Sequence, residues 1–320
     1  MISRFLLLLA LALQVAAAMQ AAGAETLRIA TYNLENYTTA GRLVGDDYLR
    51  DYPKPEAAKR ALHAVIAGLG ADILAVQEMG PAPYLEELQH DLAAIGLAYP
   101  FSYLVEAADP DRHIAILSRI RPKAVNCYAH IGLVSQGAKD LVKRGAAEVV
   151  VETDRGDLSL WVVHLKSRFT VKPSDPDSAL QRAAESVAIR DLVLRRHPNP
   201  VSARFLIVGD FNDGKARRPV RAMESRGSRV IATLLDAADS RGERWTHFYR
   251  REETYERVDH ILVSPALMPL VERSRYGDPI ARIYDGDGVT RASDHRPVVV
   301  ALQLRPLRMP ADAATSVASE

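Results

Sequence analysis

Apolar and polar positions along the chain fall into two periods. Leu27-Arg28-Ile29-Ala30-Thr31-Tyr32-Asn33 alternates and reads as a strand. Ala58, Leu62, Val65, Ile66 and Leu69 recur at helical spacing, with Pro55 opening that helix and Gly70 ending it. Residues 72–78 read as a second strand and 83–95 as a second helix, with Leu85, Leu88, Leu92 and Ile95 inward. Strands are expected at 101–105, 113–118, 146–152 and 158–164, and Arg155-Gly156-Asp157 turns the last two into a hairpin. A long helix is expected over 178–196, between Pro176 and Pro198. Phe205-Leu206-Ile207-Val208 is a short, partly β-branched apolar run and reads as a buried strand. Short strands at 233–235, 244–249, 257–263 and 298–304 close the series. The stretches 37–55 and 134–144 read as loops: the first holds Gly, Asp and Pro, and the second is polar without a period.

Helical and extended segments alternate early, then antiparallel hairpins dominate. No repeat, linker or low-complexity block divides them. The expectation is one domain, 25–305, of two stacked sheets with helices outside. The 320 residues are 48% apolar and 25% charged, enough for a sizeable core. Residues 1–24 have the marks of a signal peptide: Arg4, an apolar run over 5–13, then Ala22-Gly23-Ala24 at a cleavage site. That run is too short to span a bilayer, so the expected product is periplasmic or extracellular, with no stable membrane anchor. The segment 306–320, rich in Ala, Ser and Pro, is expected to be a flexible tail. Of 41 basic residues only Arg4 lies in the leader, so 40 basic face 40 acidic in the remainder. That balance excludes a global field for polyanions and leaves only local basic strips. Cys127 is the single cysteine, which excludes an internal disulfide, and is expected as a small core thiol.

The candidate chemistry stands at strand ends. Val208 leads into Gly209-Asp210-Phe211-Asn212-Asp213, and an i, i+2 spacing on extended backbone would put Asp210 and Asn212 on one side. A carboxylate and a carboxamide so placed can orient and deprotonate one water. Asn33, Glu78, His164, Asp259 and the Asp294-His295 pair likewise stand just past apolar strands. Singly each has an ordinary reading: a cap, a turn former, a solvated acid, a satisfied histidine. Together, residues drawn only from Asn, Asp, Glu and His point to one chemistry. Lone histidines at 113, 247 and 260 read as structural, and Glu35 as peripheral.

Six blocks resemble the endonuclease/exonuclease/phosphatase superfamily, the DNase-I-like metal-dependent phosphoesterases, in a secreted bacterial-type form. They are Thr31-Tyr32-Asn33-Leu34-Glu35, Val76-Gln77-Glu78, Val163-His164-Leu165-Lys166-Ser167, Gly209-Asp210-Phe211-Asn212-Asp213, Arg257-Val258-Asp259-His260-Ile261 and Ser293-Asp294-His295-Arg296-Pro297-Val298. They keep the family's order over 27–300. The resemblance implies an α+β fold, a four-layer α/β/β/α sandwich of two packed mixed sheets with outer helices. It also implies a divalent cation, magnesium first, with manganese or calcium as alternatives, and hydrolysis of a phosphoester.

Carried over residue by residue, the resemblance makes Glu78 the principal metal ligand, with Asn33 beside it and Asp294 as a second acidic contact. Asp210 orients or deprotonates the attacking water, Asn212 holds water or phosphate, and Asp259 orients His295 toward the phosphoryl oxygens. His164 binds phosphate or protonates the leaving oxygen. The base is either Asp210 or His295. Lys166, Arg168 and Arg218 are candidate substrate contacts. The expected substrate is a phosphodiester such as DNA or RNA, acted on by a monomer without a protein partner. A monoesterase on the same site and a catalytically dead phosphate binder are the alternatives.

Overall fold

The computed structural model describes residues 26–307. The expected signal peptide and most of the expected tail lie outside them; Leu307 is held by its N–H on Glu152 O at 3.0 Å. No helix of the described residues is long and apolar enough to cross a membrane.

Two large sheets carry the fold. The first runs Asp236–Ala238, Ile280–Ile283, Val298–Leu302, Leu27–Tyr37, Ile73–Met79, His113–Ser118, Phe101–Val105 in spatial order. The second runs Thr233–Leu234, Asp259–Val263, Phe205–Asp210, Gly156–His164, Ala146–Thr153, Ala124–Tyr128. Both are mixed. Leu27–Tyr37 pairs parallel with Ile73–Met79 and antiparallel with Val298–Leu302, and Phe205–Asp210 pairs parallel with Gly156–His164 and antiparallel with Asp259–Val263.

Three apolar layers follow from the alternation of side chains across each strand. Ile29, Ile73, Ile116, Val149, Leu160, Val208 and Val300 fill the space between the sheets. Ala30, Leu74 and Val76 point the other way, onto Leu62, Val65 and Ile66 of helix Glu56–Leu69 and Leu85, Leu88 and Leu92 of helix Ala82–Ala94. Trp161, Phe205 and Ile207 face Ile189 and Val193 of helix Ala179–Arg196 and Val220 and Met223 of helix Arg218–Glu224. The result is the expected α/β/β/α sandwich. Inner strands such as Phe205–Asp210 are buried on both faces, which is why Phe205–Val208 reads as a continuous apolar run.

Four expectations change. Residues 37–55 are not a loop but a hairpin, Ala40–Val44 with Asp47–Tyr52, turned at Gly45 with φ 64°. Residues 134–144 hold a second hairpin, Gly132–Ser135 with Ala138–Leu141, whose turn residues Gln136 and Gly137 both have positive φ, at 53° and 78°. Gly-Asp and Gln-Gly at the centre of these segments were the signal, masked by flanks that are mostly polar and exposed, Leu133 being the residue of the second hairpin that reaches the core. Ile95 is exposed rather than inward, because the helix has already ended at Ala94. Cys127 is exposed on Ala124–Tyr128, at the edge of the second sheet.

Candidate active site

Three adjacent strands of the second sheet place a row of polar side chains at one edge. In register, His164 lies opposite Asp210, and Asp210 opposite Asp259. All three are 1% exposed. Asp259 opens its strand rather than ending one; its strand is antiparallel to Phe205–Asp210, so its start meets the other's end. Asp294 and His295 likewise precede Val298–Leu302 instead of following a strand. Gly209 permits the close approach. At φ 143° a Cβ there would sit 1.9 Å from Val163 O, so only glycine keeps Asp210 level with His164.

Asp210 and Asn212 do meet, though not through strand alternation. The strand stops at Asp210, and Asn212 takes φ 52°. Asp210 Oδ1 accepts the Asn212 N–H at 2.7 Å, and Oδ2 accepts Asn212 Nδ2 at 3.2 Å. This is an Asx turn, and Asn212 Nδ2 also reaches Leu165 O at 2.9 Å, tying the His164 loop to it.

The first sheet supplies the other half. Asn33 Nδ2 donates to Asp210 Oδ2 at 3.0 Å, across the sheets. The Ser293 hydroxyl donates to Asn33 O at 2.8 Å and accepts the His295 N–H at 3.0 Å. His295 Nδ1 meets Asp259 Oδ2 at 2.8 Å, a second bond across the sheets. His295 Nε2 lies 4.0 Å from Asp294 Oδ1. His247, read from sequence as structural, belongs to this site: its Nε2 is 3.8 Å from Asp294 Oδ2 and its ring centroid 4.4 Å from that of His295. Nothing local marks it, because an isolated histidine outside the motif blocks carries no spacing signal. His260 is structural as expected, with Nε2 on Asp213 O at 2.8 Å.

Glu78 sits at a bulge between Val76 and Met79, at φ 60°, and its Oε2 accepts the Asn36 N–H at 2.9 Å. Glu35 is not peripheral. It stands 3.6 Å from the buried Lys54 ammonium, and burial together with the Asp294 charge raises its pKa.

The electrostatics separate the titratable groups. Burial, then the Asp259 charge, pushes Asp210 up to about 6. Burial opposes charge on His295, yet the carboxylates of Asp259, Asp210 and Asp294 outweigh it and hold the imidazole well above its usual value. Burial drives His164 well below, helped by Arg144 and His295, so it is neutral at physiological pH. Both His164 nitrogens and Asp259 Oδ1 are buried without a hydrogen-bond partner. Burial works against charge on Asp294, but the His247 and His295 imidazoles hold it below the usual carboxylate range.

The candidate substrate contacts divide between two clefts. Lys166 lines a cleft of about 720 Å³ with Glu78, Arg112 and Arg144, and burial, then Arg144, brings its ammonium down to about 8. Arg168 and Arg218 are not in that cleft; they line another, of about 680 Å³. Arg168 grips Glu256 with both guanidinium arms.

The donors suit a hard divalent cation. Oxygen ligands are what magnesium and calcium take, and the site offers the carboxylates of Asp210, Asp259 and Asp294, with the Asn33 carboxamide bonded to Asp210. Two groups of donor atoms converge within 4.8 Å: Asp210, Asp259 and His295, and His247, Asp294 and His295. The charges of Glu35, Glu78 and Asp294 all favour the charged Arg42 guanidinium against its burial. Glu78 stands outside both close groups, turned to Asn36. Asn33 Oδ1 accepts the Glu35 N–H at 3.0 Å and keeps a second lone pair.

Two mixed sheets, packed face to face under helical outer layers and joined at one edge by polar side chains, are the DNase-I-like sandwich. The chain belongs to the Endonuclease/Exonuclease/phosphatase family, whose model matches residues 30–295. Similar solved structures include the human Nocturnin catalytic domain, at 16% identity and TM-score 0.60, over 88% of this chain and 95% of that one. Sphingomyelinase C from Streptomyces griseocarneus gives 17% identity and TM-score 0.58, over 87% and 99%. A double-mutant beta toxin from Staphylococcus aureus, with bound magnesium ions, gives 12% and 0.56, over 86% and 99%. No curated relative matches the chain.

Proposed function

We propose that the protein is an exported, divalent-metal-dependent phosphoester hydrolase that cleaves a phosphodiester by attack of water. The observation that carries this reading is the His295–Asp259 bond across the sheets, set beside Asp210 with both His164 nitrogens unpartnered. A phosphoryl group placed there meets one imidazolium, one neutral imidazole and one carboxylate, which is what an in-line displacement at phosphorus needs.

Each residue then has a role its surroundings support. Asp210, near pKa 6, is ionised at neutral pH and still basic enough to take a proton from water. Asn33 and Asn212 fix the direction of its oxygens. His295, protonated and oriented through Nδ1 by Asp259, donates from Nε2 to a phosphoryl oxygen. That charge state makes His295 a poor base and favours Asp210 for the role. Neutral His164 donates a hydrogen bond to phosphate; its lowered pKa argues against it as the acid for the leaving oxygen. Glu78, Asp294 and Asn33 would hold the cation. When bound, that ion supplies electrostatic stabilisation of the charge growing on the phosphoryl oxygens. The magnesium in the staphylococcal toxin structure supports magnesium here.

The test is hydrolysis of plasmid DNA, RNA, bis(p-nitrophenyl) phosphate and p-nitrophenyl phosphate with magnesium, with and without EDTA. EDTA-sensitive diester cleavage is expected. Cleavage of the monoester alone moves the reading to a phosphatase, and no cleavage in any arm refutes it.

A further inference from the structure

The second cleft, at the start of helix Ala179–Arg196, is built for an anion that the catalytic residues do not contact. Its walls carry seven arginine and lysine side chains against three acidic ones. The acids are largely spent: Glu256 pairs with Arg168, and Asp213 with Arg182 at 3.1 Å and Arg217 at 4.0 Å. Lys215, Arg218 and Arg257 form no ion pair with any described carboxylate.

Arg257 is the telling member. One arm donates to Leu235 O at 2.7 Å, while its Nε is buried without a partner. Burial pulls its pKa to about 10. Its guanidinium is drawn out of water with no carboxylate in direct contact, Asp236 and Asp259 acting on it only at a distance, and the cost is recovered when an anion docks. The neighbouring helix terminus does not account for the attraction, since the Asp175 carboxylate already accepts the N–H groups of Leu180 and Gln181 at 3.1 and 3.0 Å. The cleft adjoins the catalytic edge through its own segments: Asp213 follows Asn212, and Arg257 lies two residues before Asp259.

We infer that this cleft seats a second phosphoryl group of the substrate whose scissile phosphoester lies at Asp210 and His295. A guanidinium fork matches phosphoryl oxygens in two-point contact, and several such groups around one cavity suit a phosphoryl group, whether a backbone monoanion or a terminal dianion. The inference rests on the hydrolase reading and deepens it: the substrate is multiply phosphorylated, either a nucleic-acid backbone or a small bisphosphate.

The variant is Lys215→Glu with Arg217→Glu, both exposed positions lining the cleft. Binding of fluorescein-labelled hexathymidylate, and competition by adenosine 3′,5′-bisphosphate, are measured by anisotropy in EDTA, where nothing turns over. Affinity for at least one ligand should fall by about tenfold or more, with the difference shrinking at high salt. Loss for hexathymidylate alone assigns a nucleic-acid backbone; loss for the bisphosphate alone assigns a small substrate. Unchanged affinity for both overturns the subsite. So does an equal loss of bis(p-nitrophenyl) phosphate hydrolysis, because that substrate carries no second phosphoryl group. Because binding is read without turnover, a protein that binds but never hydrolyses would refute the hydrolase reading and leave the subsite standing.

Discussion

His295 and Asp259 come from different sheets, and their side chains meet at 2.8 Å between Nδ1 and Oδ2. With the Asn33–Asp210 bond at 3.0 Å, this pair fixes the spacing of the two sheet edges. The same contact sets the charge of the imidazole, so one bond serves both the fold and the chemistry.

Asp259→Asn should therefore cost about 10²-fold or more in kcat/KM while leaving the protein folded. The His295 imidazole should also titrate at lower pH, because an amide cannot hold its proton by charge. An NMR pH titration of the histidine resonances checks this; an unshifted His295 would separate its charge from Asp259.

Gly209→Ala tests the close approach of neighbouring strands. Its Cβ would meet Val163 backbone oxygen at 1.9 Å, with no flexible side chain to yield. A loss of about 2–4 kcal/mol in unfolding free energy is expected, with activity falling as Asp210 moves off His164. Thermal and urea unfolding measure it, and an unchanged midpoint would contradict the geometry.

The sandwich itself was legible because its strands bury both faces and its helices show apolar faces at helical spacing. The polar row was legible because Asn33, His164, Asp210, Asp259 and His295 sit inside motif blocks, whereas Glu78, also in a block, stands outside the two close donor groups, turned to Asn36. What escaped were contacts made only by folding. His247 reaches Asp294 from outside any block, and Arg168 turns to Glu256, away from the cleft that Lys166 shares with Glu78. The two overlooked hairpins bury little beyond Leu133, so periodicity had almost nothing to report, and their turn dipeptides were the main trace.

Stability should depend on His260. It is fully buried, and burial lowers its pKa to about 4 from 6.5. The folded pKa lies below the unfolded one, so the unfolded chain takes up the proton first. Stability from this group is full above pH 6.5 and declines as pH falls toward 4, by about 3 kcal/mol over the window. His260→Gln should flatten that part of the stability profile measured by urea unfolding. A slope identical to that of the parent protein would contradict the assignment.

Metal binding should stabilise the fold and depend on Glu78. Magnesium at about 100 times its Kd should raise stability by about 2.7 kcal/mol, seen as a higher Tm that EDTA reverses. Glu78→Gln should raise the magnesium concentration needed for half of that shift by about tenfold or more. An unaltered midpoint would remove Glu78 from the ligand set.

The most direct measurement is the rate of bis(p-nitrophenyl) phosphate hydrolysis by Asp210→Asn at saturating magnesium, beside the parent protein at equal Tm. Replacing a carboxylate that must accept the water's proton should lower kcat by about 10³-fold or more. A variant that turns over at the parental rate would show that Asp210 takes no proton, and the proposed chemistry at this edge would be wrong.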